Sequence, residues 1–389
     1  MIRIVLVASV LLVYLNLRVL AKLSSYSSTY SQQMAILQST LPMPPKDSTI
    51  CRTIPGLTKN QILLCNRQPD VTMVALQGLQ DALSECEHQF QGNRWNCSSL
   101  AHKQNIYASS LLQKGYRETA FTYALSAAGA TIAVARACSQ GRLINCACDH
   151  RNYRMKISSE APWKWGGCSH NLQFGIKFTK ALLDNRDNAS DLQSRVNSHN
   201  NQVGRVAVAN NMQVQCKCHG MSGSCQLKTC WRSTPDIRMV GKVLKERFRT
   251  AVLVDQNNTG DDKAETFKVI KTSRKKRVKM RNKKEWIVRN GNQHISKEKN
   301  KRSLSFDLLY YQKSPNFCDF DASLEVPGTS GRECIRNSTG QDNCSSLCCG
   351  RGYNYVRQRR TERCNCKFIW CCKVECDTCV VEEWKSICN

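Results

Sequence analysis

The sequence predicts an α+β, disulfide-rich protein: a helical N-terminal domain followed by a small cystine-rich C-terminal domain built on a β-hairpin. Of the 24 cysteines in 389 residues, twelve lie between Cys51 and Cys230 and twelve in the last 72 residues. Apolar residues recur with a helical period only in the first half. The expected division is 1–21 signal peptide, 22–240 helical domain, 241–310 basic flexible linker, and 311–389 cystine-rich domain.

The first 21 residues resemble a secretory signal peptide. Arg3 precedes an apolar run from Ile4 to Leu15, and Val19 and Ala21 have the small-residue spacing of a cleavage site. The alternative, a membrane anchor, needs about 20 apolar residues, more than this run supplies. Secretion to the extracellular space is therefore expected. It agrees with five predicted N-glycosylation sites, namely Asn96, Asn188, Asn257, Asn337 and Asn343.

Several segments of the first half have the 3.6-residue apolar period of helices. One runs from Val71 to Phe90, with Asp70 as the expected N-cap. The others are 106–138, 172–183 and 203–212. The small residues from Ala127 to Ala130 would let a second helix approach closely.

The last 72 residues have too few aliphatic side chains for an ordinary core. Twelve cysteines make up about 17% of this segment, above the ~8–10% that indicates a disulfide scaffold. Crosslinks must therefore replace the core. Cys364 and Cys366, then Lys367–Val374, then Cys376 and Cys379 predict a hairpin whose two arms are crosslinked in nested order.

A basic segment separates the two cysteine-rich halves of a chain whose net charge is +27. Nine of the fifteen residues from Ile270 to Lys284 are Lys or Arg, and none is acidic. Such a run is usually a solvated tether. A secreted chain meets sulfated glycans rather than nucleic acid, so glycan binding is the functional alternative, and cleavage by a basic-specific protease at 274–277 is another. The expected glycan-binding residues are Lys271, Arg274, Lys275, Lys276 and Arg277.

The segment 215–231 predicts a second crosslinked hairpin, with His-Gly-Met-Ser-Gly-Ser at its tip. Flanking glycines would expose the hydroxyl of Ser222. Three interpretations are open: a crosslinked turn only, a serine nucleophile, or a zinc site using Cys216, Cys218 and His219. A Gly-x-Ser-x-Gly elbow is missing because position 224 is Ser, and secretion with even cysteine counts disfavours zinc.

These residues resemble the Wnt family of growth factors. The resemblance rests on Cys218-His219-Gly220-Met221-Ser222-Gly223-Ser224-Cys225, Lys228-Thr229-Cys230-Trp231, Arg94-Trp95-Asn96-Cys97-Ser98, 347–354 and 364–372, and it extends from about Cys51 to Asn389. The amino-acid sequences of 224–232, 326–328 and 382–388 are most similar to those of the tenth Wnt subfamily. The long basic insert departs from the family pattern.

The resemblance implies a saposin-like helical domain and a Wnt signalling function in development. It implies that Ser222 is esterified with palmitoleate by the acyltransferase Porcupine, with no other cofactor, no metal and no enzymatic activity. The expected partners are the cysteine-rich domain of a Frizzled receptor, an LRP-type co-receptor, the carrier Wntless, and heparan sulfate in the extracellular matrix. The receptor-binding residues would be Met221, Ser222 and Gly223 on a "thumb" and Phe368, Ile369, Trp370, Cys371 and Cys372 on an "index finger".

The same resemblance implies twelve disulfides. Those of the first half are Cys51–Cys65, Cys86–Cys97, Cys138–Cys146, Cys148–Cys168, Cys216–Cys230 and Cys218–Cys225. Those of the second half are Cys318–Cys349, Cys334–Cys344, Cys348–Cys388, Cys364–Cys379, Cys366–Cys376 and the vicinal pair Cys371–Cys372. Spacing alone does not select these pairings.

The three apolar residues Phe368, Ile369 and Trp370 at the end of the predicted hairpin suggest an interface, because a small disulfide domain cannot bury all of them. The alternative is that Trp370 folds back onto its own scaffold.

Overall fold

A computed structural model describes residues 49–101, 109–149, 166–184, 191–225, 228–255, 268–269 and 304–389. The predicted signal peptide, the sequons at Asn188 and Asn257, and the expected glycan-binding residues lie outside these ranges. The helices are α1 Thr49–Thr53, α2 Lys59–Arg67, α3 Pro69–Phe90, α4 Ser98–Ala101, α5 Arg117–Ser139, α6 Leu172–Leu183, α7 Leu192–Asn210, α8 Ile237–Arg249 and α9 Cys344–Leu347. The strands are β1 Gln213–Cys218, β2 Lys228–Ser233, β3 Val252–Asp255, β4 Lys268–Val269, β5 Leu309–Tyr310, β6 Glu333–Cys334, β7 Tyr353–Ile369 and β8 Lys373–Cys388.

Helix α5 is the centre of the helical part. Nearly all of its residues are buried, because α3, α6, α7 and α8 pack around it. Of the helices in the described ranges, α5 is the one that is long and apolar enough to cross a membrane. However, 89% of its most apolar stretch is buried inside the fold. It is therefore the core helix of this domain.

Glycines allow the helices around α5 to approach closely. A Cβ on Gly129 of α5 would lie 2.3 Å from the carbonyl oxygen of Gly78 of α3, and one on Gly204 of α7 would lie 1.8 Å from that of Ala124. Neither neighbour is a flexible side chain that could move aside. The expected close contact at 127–130 is confirmed.

Two predicted helix boundaries are wrong. Helix α3 begins at Pro69, so Asp70 lies in its first turn and Gln68 is the N-cap. The predicted helix 106–138 is interrupted before Arg117. At the break, the N–H of Gly115 donates to the Gln312 side chain, and its carbonyl accepts from the backbone of Tyr311 and Gln312. These long-range bonds replace the helical ones.

The structure moves both ends of the predicted linker 241–310. Helix α8 continues through position 241 and buries Val240 and Leu244. Strand β3 follows and pairs antiparallel with β4 and parallel with β5. Leu308 and Leu309 are fully buried. The apolar residues at the two ends of the predicted linker 241–310 therefore belong to the core.

The C-terminal part is a three-stranded sheet in the order β6-β8-β7. Strands β7 and β8 form a long antiparallel ribbon whose side chains are mostly exposed. The buried cluster at its base consists of Leu347 and four half-cystines, Cys334, Cys344, Cys348 and Cys388. Crosslinks take the place of an aliphatic core here.

The structure contains eleven of the twelve disulfides that the resemblance implies. The exception is Cys371–Cys372, whose thiols are free and exposed, with their sulfurs 3.9 Å apart. A disulfide between neighbouring residues would close a small ring that contains the peptide bond joining them. Closing this ring strains the planar trans peptide, which opposes bond formation.

Candidate functional site

The first candidate site is the tip of the β1–β2 hairpin. Cys216 faces Cys230 in the antiparallel register, and their disulfide joins the two strands. The disulfide Cys218–Cys225 closes the loop above them. The two nested crosslinks hold the loop 219–224 at the end of a rigid ribbon.

Residues distant in sequence anchor the base of this hairpin. The backbone N–H of His170 donates to the carbonyl of Arg232 at 2.8 Å, and the Nδ1 of His170 accepts from the N–H of Thr234 at 3.0 Å. The Ser169 hydroxyl accepts from the N–H of Arg232. Burial, with a smaller contribution from Arg136, lowers the pKa of His170 to about 4, so the ring is a neutral acceptor at pH 7. No local pattern in the sequence marks this anchor, so it could not be predicted.

The tip presents Ser222 to solvent. Ser222 and Gly223 both have positive φ angles, 55° and 76°, in the region that favours glycine. The N–H of Gly220 donates to the carbonyl of Ser224 and closes the turn. Met221 is 90% exposed, and Ser222 and Gly223 are also exposed. The loop therefore holds one apolar side chain and one accessible hydroxyl away from the fold.

The geometry does not support the hydrolase or zinc interpretations. The Nε2 atom of His219 lies 3.0 Å from the hydroxyl of Thr229, and within the described ranges no imidazole or carboxylate hydrogen-bonds to Ser222. A serine nucleophile needs such a base. Cys216 and Cys218 are both in disulfides, so neither is available as a zinc ligand.

The second candidate site is the tip of the β7–β8 ribbon. The disulfides Cys364–Cys379 and Cys366–Cys376 join the two strands below it. Ile369 pairs with Lys373, and the three residues between them form the turn. Cys371 and Cys372 in this turn have φ angles of 75° and 88°.

The apolar side chains of this tip are solvent-exposed. Phe368 is 68% exposed, Ile369 45% and Trp370 90%. The expectation that the small domain does not bury all three residues is confirmed. The alternative that Trp370 folds back onto the scaffold is wrong, because its side chain is 90% exposed and is not covered by the described residues.

Three of the predicted glycosylation sites lie in the described ranges and differ in their surroundings. Asn337 is exposed. The Oδ1 of Asn96 accepts from the hydroxyl of Ser98. The Nδ2 of Asn343 donates to the carbonyls of Arg336 and Ser338, and its Oδ1 caps α9.

Comparison with known proteins agrees with these features. The model of the Wnt family matches residues 53–389. The Wnt-2b-A protein of Xenopus laevis is 39% identical over 331 residues, which cover 85% of this chain and 86% of that protein. A solved structure of human WLS in complex with WNT8A contains a chain that matches with a TM-score of 0.55 and 30% identity, covering 82% of this chain and 94% of that one. The chain therefore belongs to the Wnt family and is a secreted signalling ligand.

Proposed function

We propose that this ligand is acylated with palmitoleate on Ser222 and binds the cysteine-rich domain of a Frizzled receptor through its two hairpin tips. Binding of an LRP-type co-receptor at the same time would activate Wnt signalling in development. The chain acts as a ligand in the extracellular space and matrix, and it is not an enzyme. Within the family, the amino-acid sequence of 224–232 supports assignment to the tenth subfamily.

One observation carries the proposal. The hairpins β1–β2 and β7–β8 are each crosslinked by two disulfides, and their tips expose Met221, Ser222, Phe368 and Trp370. Exposed apolar side chains cost free energy unless a partner covers them, so such a cluster on a rigid support marks an interface. Tryptophan is also prominent among the residues that dominate binding energy at interfaces.

The acyl chain on Ser222 and the tip of the β7–β8 ribbon would contribute unequally to the free energy of receptor binding. At ~0.8 kcal/mol per buried methylene, about a dozen methylenes of a palmitoleoyl chain supply on the order of 10 kcal/mol before the costs of ordering and association. The tip of the β7–β8 ribbon, without the acyl chain, would form a small interface of modest affinity. The acyl chain is therefore expected to supply most of the affinity, with Phe368, Ile369, Trp370 and the neighbouring Cys371 and Cys372 adding selectivity.

Partners during secretion follow from the same acyl group. Porcupine would attach the chain to the Ser222 hydroxyl, and Wntless would carry the apolar product, since an exposed acyl chain cannot travel freely through water. The solved complex of human WLS with WNT8A supports this role for Wntless. Heparan sulfate would bind the basic residues Lys271 and 274–277 outside the cell.

The test replaces one hydroxyl at a time. Ser222→Ala should be retained in the cell and inactive in a Wnt reporter assay, because it lacks the acyl anchor while keeping both loop disulfides. Ser224→Ala, the matched control in the same loop, should be secreted and active. Equal activity of Ser222→Ala and the parent would refute the proposal, and labelling of Ser222 by a covalent serine-hydrolase probe would favour the rival function.

A further inference from the structure

The ribbon of strands β7 and β8 has an open edge. In the sheet order β6-β8-β7, β7 is the outer strand, and no other strand of the described ranges pairs with its far side. An edge strand presents backbone N–H and C=O groups that lack a partner in the sheet, and these groups can pair with another chain. Because β7 is 17 residues long and mostly exposed, this edge is neither short nor covered. We call residues 355–363 the β7 edge.

Crosslinks hold the β7 edge in place. All of its residues pair with β8 in one unbroken antiparallel register, and the irregularity of the ribbon comes only after Cys364. The disulfide Cys364–Cys379 joins the two strands directly above the β7 edge, and Cys348–Cys388 fixes the end of β8 at its base. A strand that is already ordered loses little conformational entropy when a partner binds, so the cost of adding another strand is low.

The two faces of the ribbon differ in charge. Side chains that follow one another along a strand point to opposite faces, and directly paired residues share a face. Glu382 forms ion pairs with both Arg357 and Arg359, and no ion pair among the described residues includes Arg363. These four residues share one face, which therefore has a net positive charge. This face, which we call the arginine face, contains Tyr355, Arg357, Arg359, Thr361 and Arg363 of β7 with Val380, Glu382 and Trp384 of β8.

The opposite face of the ribbon and the outer side of β8 do not offer this charge. On the opposite face, Arg360 pairs with Glu362 and Lys385 pairs with Glu383, so cations and carboxylates balance. Strand β8 is also open beyond its short pairing with β6, but its own charged residues there are mostly acidic. An anionic partner is therefore expected at the β7 edge, on the side of the arginine face.

Exposed apolar side chains accompany the cations of the arginine face. Tyr355 is 51% exposed, Val380 52% and Trp384 68%. In addition, Arg336, from the loop between β6 and α9, donates to the hydroxyl of Tyr355 at 3.1 Å and brings a further cation to this face. Charged side chains on an edge strand can serve only to prevent aggregation, but that role does not call for exposed aromatic neighbours. Cations mixed with exposed aromatic side chains are typical of a binding surface.

We propose that the β7 edge binds an extended acidic segment of another extracellular protein, which adds to the sheet as a fourth strand. Backbone hydrogen bonds along β7 supply affinity, as in other cases of strand addition. Carboxylates at alternate positions of the segment face Arg357, Arg359 and Arg363, and an apolar side chain contacts Tyr355 and Trp384. The β7 edge lies outside both hairpin tips, so the inference depends neither on acylation of Ser222 nor on binding to Frizzled.

The test uses a fluorescently labelled peptide of nine residues, Phe-Thr-Glu-Thr-Glu-Thr-Glu-Thr-Phe, blocked at both ends. The peptide matches the length of the β7 edge, and its palindromic order places the glutamates beside the arginines in either strand direction. Affinity is measured by fluorescence anisotropy on the secreted full-length chain. The cations of 271–284 are replaced by Ser and Gln in every sample, so that the insert does not bind the acidic peptide.

Variants on the two faces of the ribbon should differ in their affinity for the peptide. Arg359→Gln/Arg363→Gln should lower the affinity about fivefold or more, because it removes two cations of the arginine face. The control Arg360→Gln/Lys385→Gln removes the same charge from the opposite face and should change the affinity by less than about twofold. Trp370→Ala, at the tip of the ribbon, should leave peptide binding unchanged.

Two further peptides test the backbone pairing, each N-methylated at one of the two alternating sets of residues. At least one of them should lose affinity about tenfold or more, because N-methylation removes the hydrogen-bond donors from one edge of the peptide. Retained binding of both would show that the arginines attract anions by charge alone, and competition by heparin would then identify a polyanion surface instead. That result, equal losses in the two double variants, or no binding of the unmethylated peptide at up to about 1 mM would overturn the proposal.

Discussion

Replacing Trp370 with alanine should weaken receptor binding without weakening the fold. The side chain is 90% exposed in the free protein, so its removal leaves no cavity. A buried aromatic side chain covers ~150–250 Å², and at about 25 cal/mol per Å² complete burial by a receptor would be worth at most ~4–6 kcal/mol. Ordering costs reduce this, so we expect a loss of at least ~2 kcal/mol, about a 30-fold rise in Kd.

The assay is surface-based binding of the purified variant to an isolated Frizzled cysteine-rich domain, together with thermal unfolding of the variant alone. Trp384→Ala is the matched control, because Trp384 is 68% exposed on the same ribbon but lies eleven residues along β8 from Lys373, which ends the turn, and pairs with Arg357. Its Kd should stay within about threefold of the parent. An unchanged Kd for Trp370→Ala, an equal effect of the two variants, or retention of Trp370→Ala in the cell would refute the reasoning.

Three further predictions concern the insert, the hairpin anchor and the core. Replacing the nine cations of 271–284 with Ser and Gln should move heparin elution to lower salt while receptor affinity stays the same; an unchanged elution position would show that the insert is only a tether. The pKa of His170 is lowered to about 4, so its contribution to stability is complete above ~6.5 and is lost as the pH falls toward 4. The melting temperature of the parent should therefore fall more between pH 7 and 5 than that of His170→Gln, which still accepts from Thr234 but does not titrate; equal falls would contradict the anchor. Gly204→Ala would place a methyl group 1.8 Å from the carbonyl oxygen of Ala124, and chemical denaturation should show a loss of about 1–3 kcal/mol or more, whereas an unchanged midpoint would contradict the close helix contact.

Features that depend on local pattern were predictable from the sequence. Helices α3, α6 and α7 follow from their apolar periods, although α7 begins at Leu192, earlier than its pattern indicated. The ribbon β7–β8 follows from the nested spacing of Cys364, Cys366, Cys376 and Cys379. In each case the deciding interactions lie within or between neighbouring segments.

Features that depend on distant contacts were not predictable. The break before α5 exists because Gly115 bonds to Tyr311 and Gln312, almost two hundred residues away. The linker 241–310 was predicted too long because its charged centre, 271–284, dominates the composition of the whole range. The apolar residues near the two ends of that range, Leu244 and Leu308 among them, are buried. One cavity beside α8 is lined by Arg94, Arg117 and Lys245, which are far apart in the sequence and meet only in the folded chain.

The most direct test of the central claim is the chemical state of Ser222 in the secreted protein. Proteolysis under non-reducing conditions should release a peptide that contains both Cys216–Cys230 and Cys218–Cys225, and tandem mass spectrometry can then locate any acyl group on it. We expect a palmitoleoyl ester on Ser222 that survives neutral hydroxylamine and is removed by alkaline hydrolysis, as an oxygen ester should be. A fully unmodified peptide from active protein, or an ester on Ser224 with Ser222 free, would contradict it.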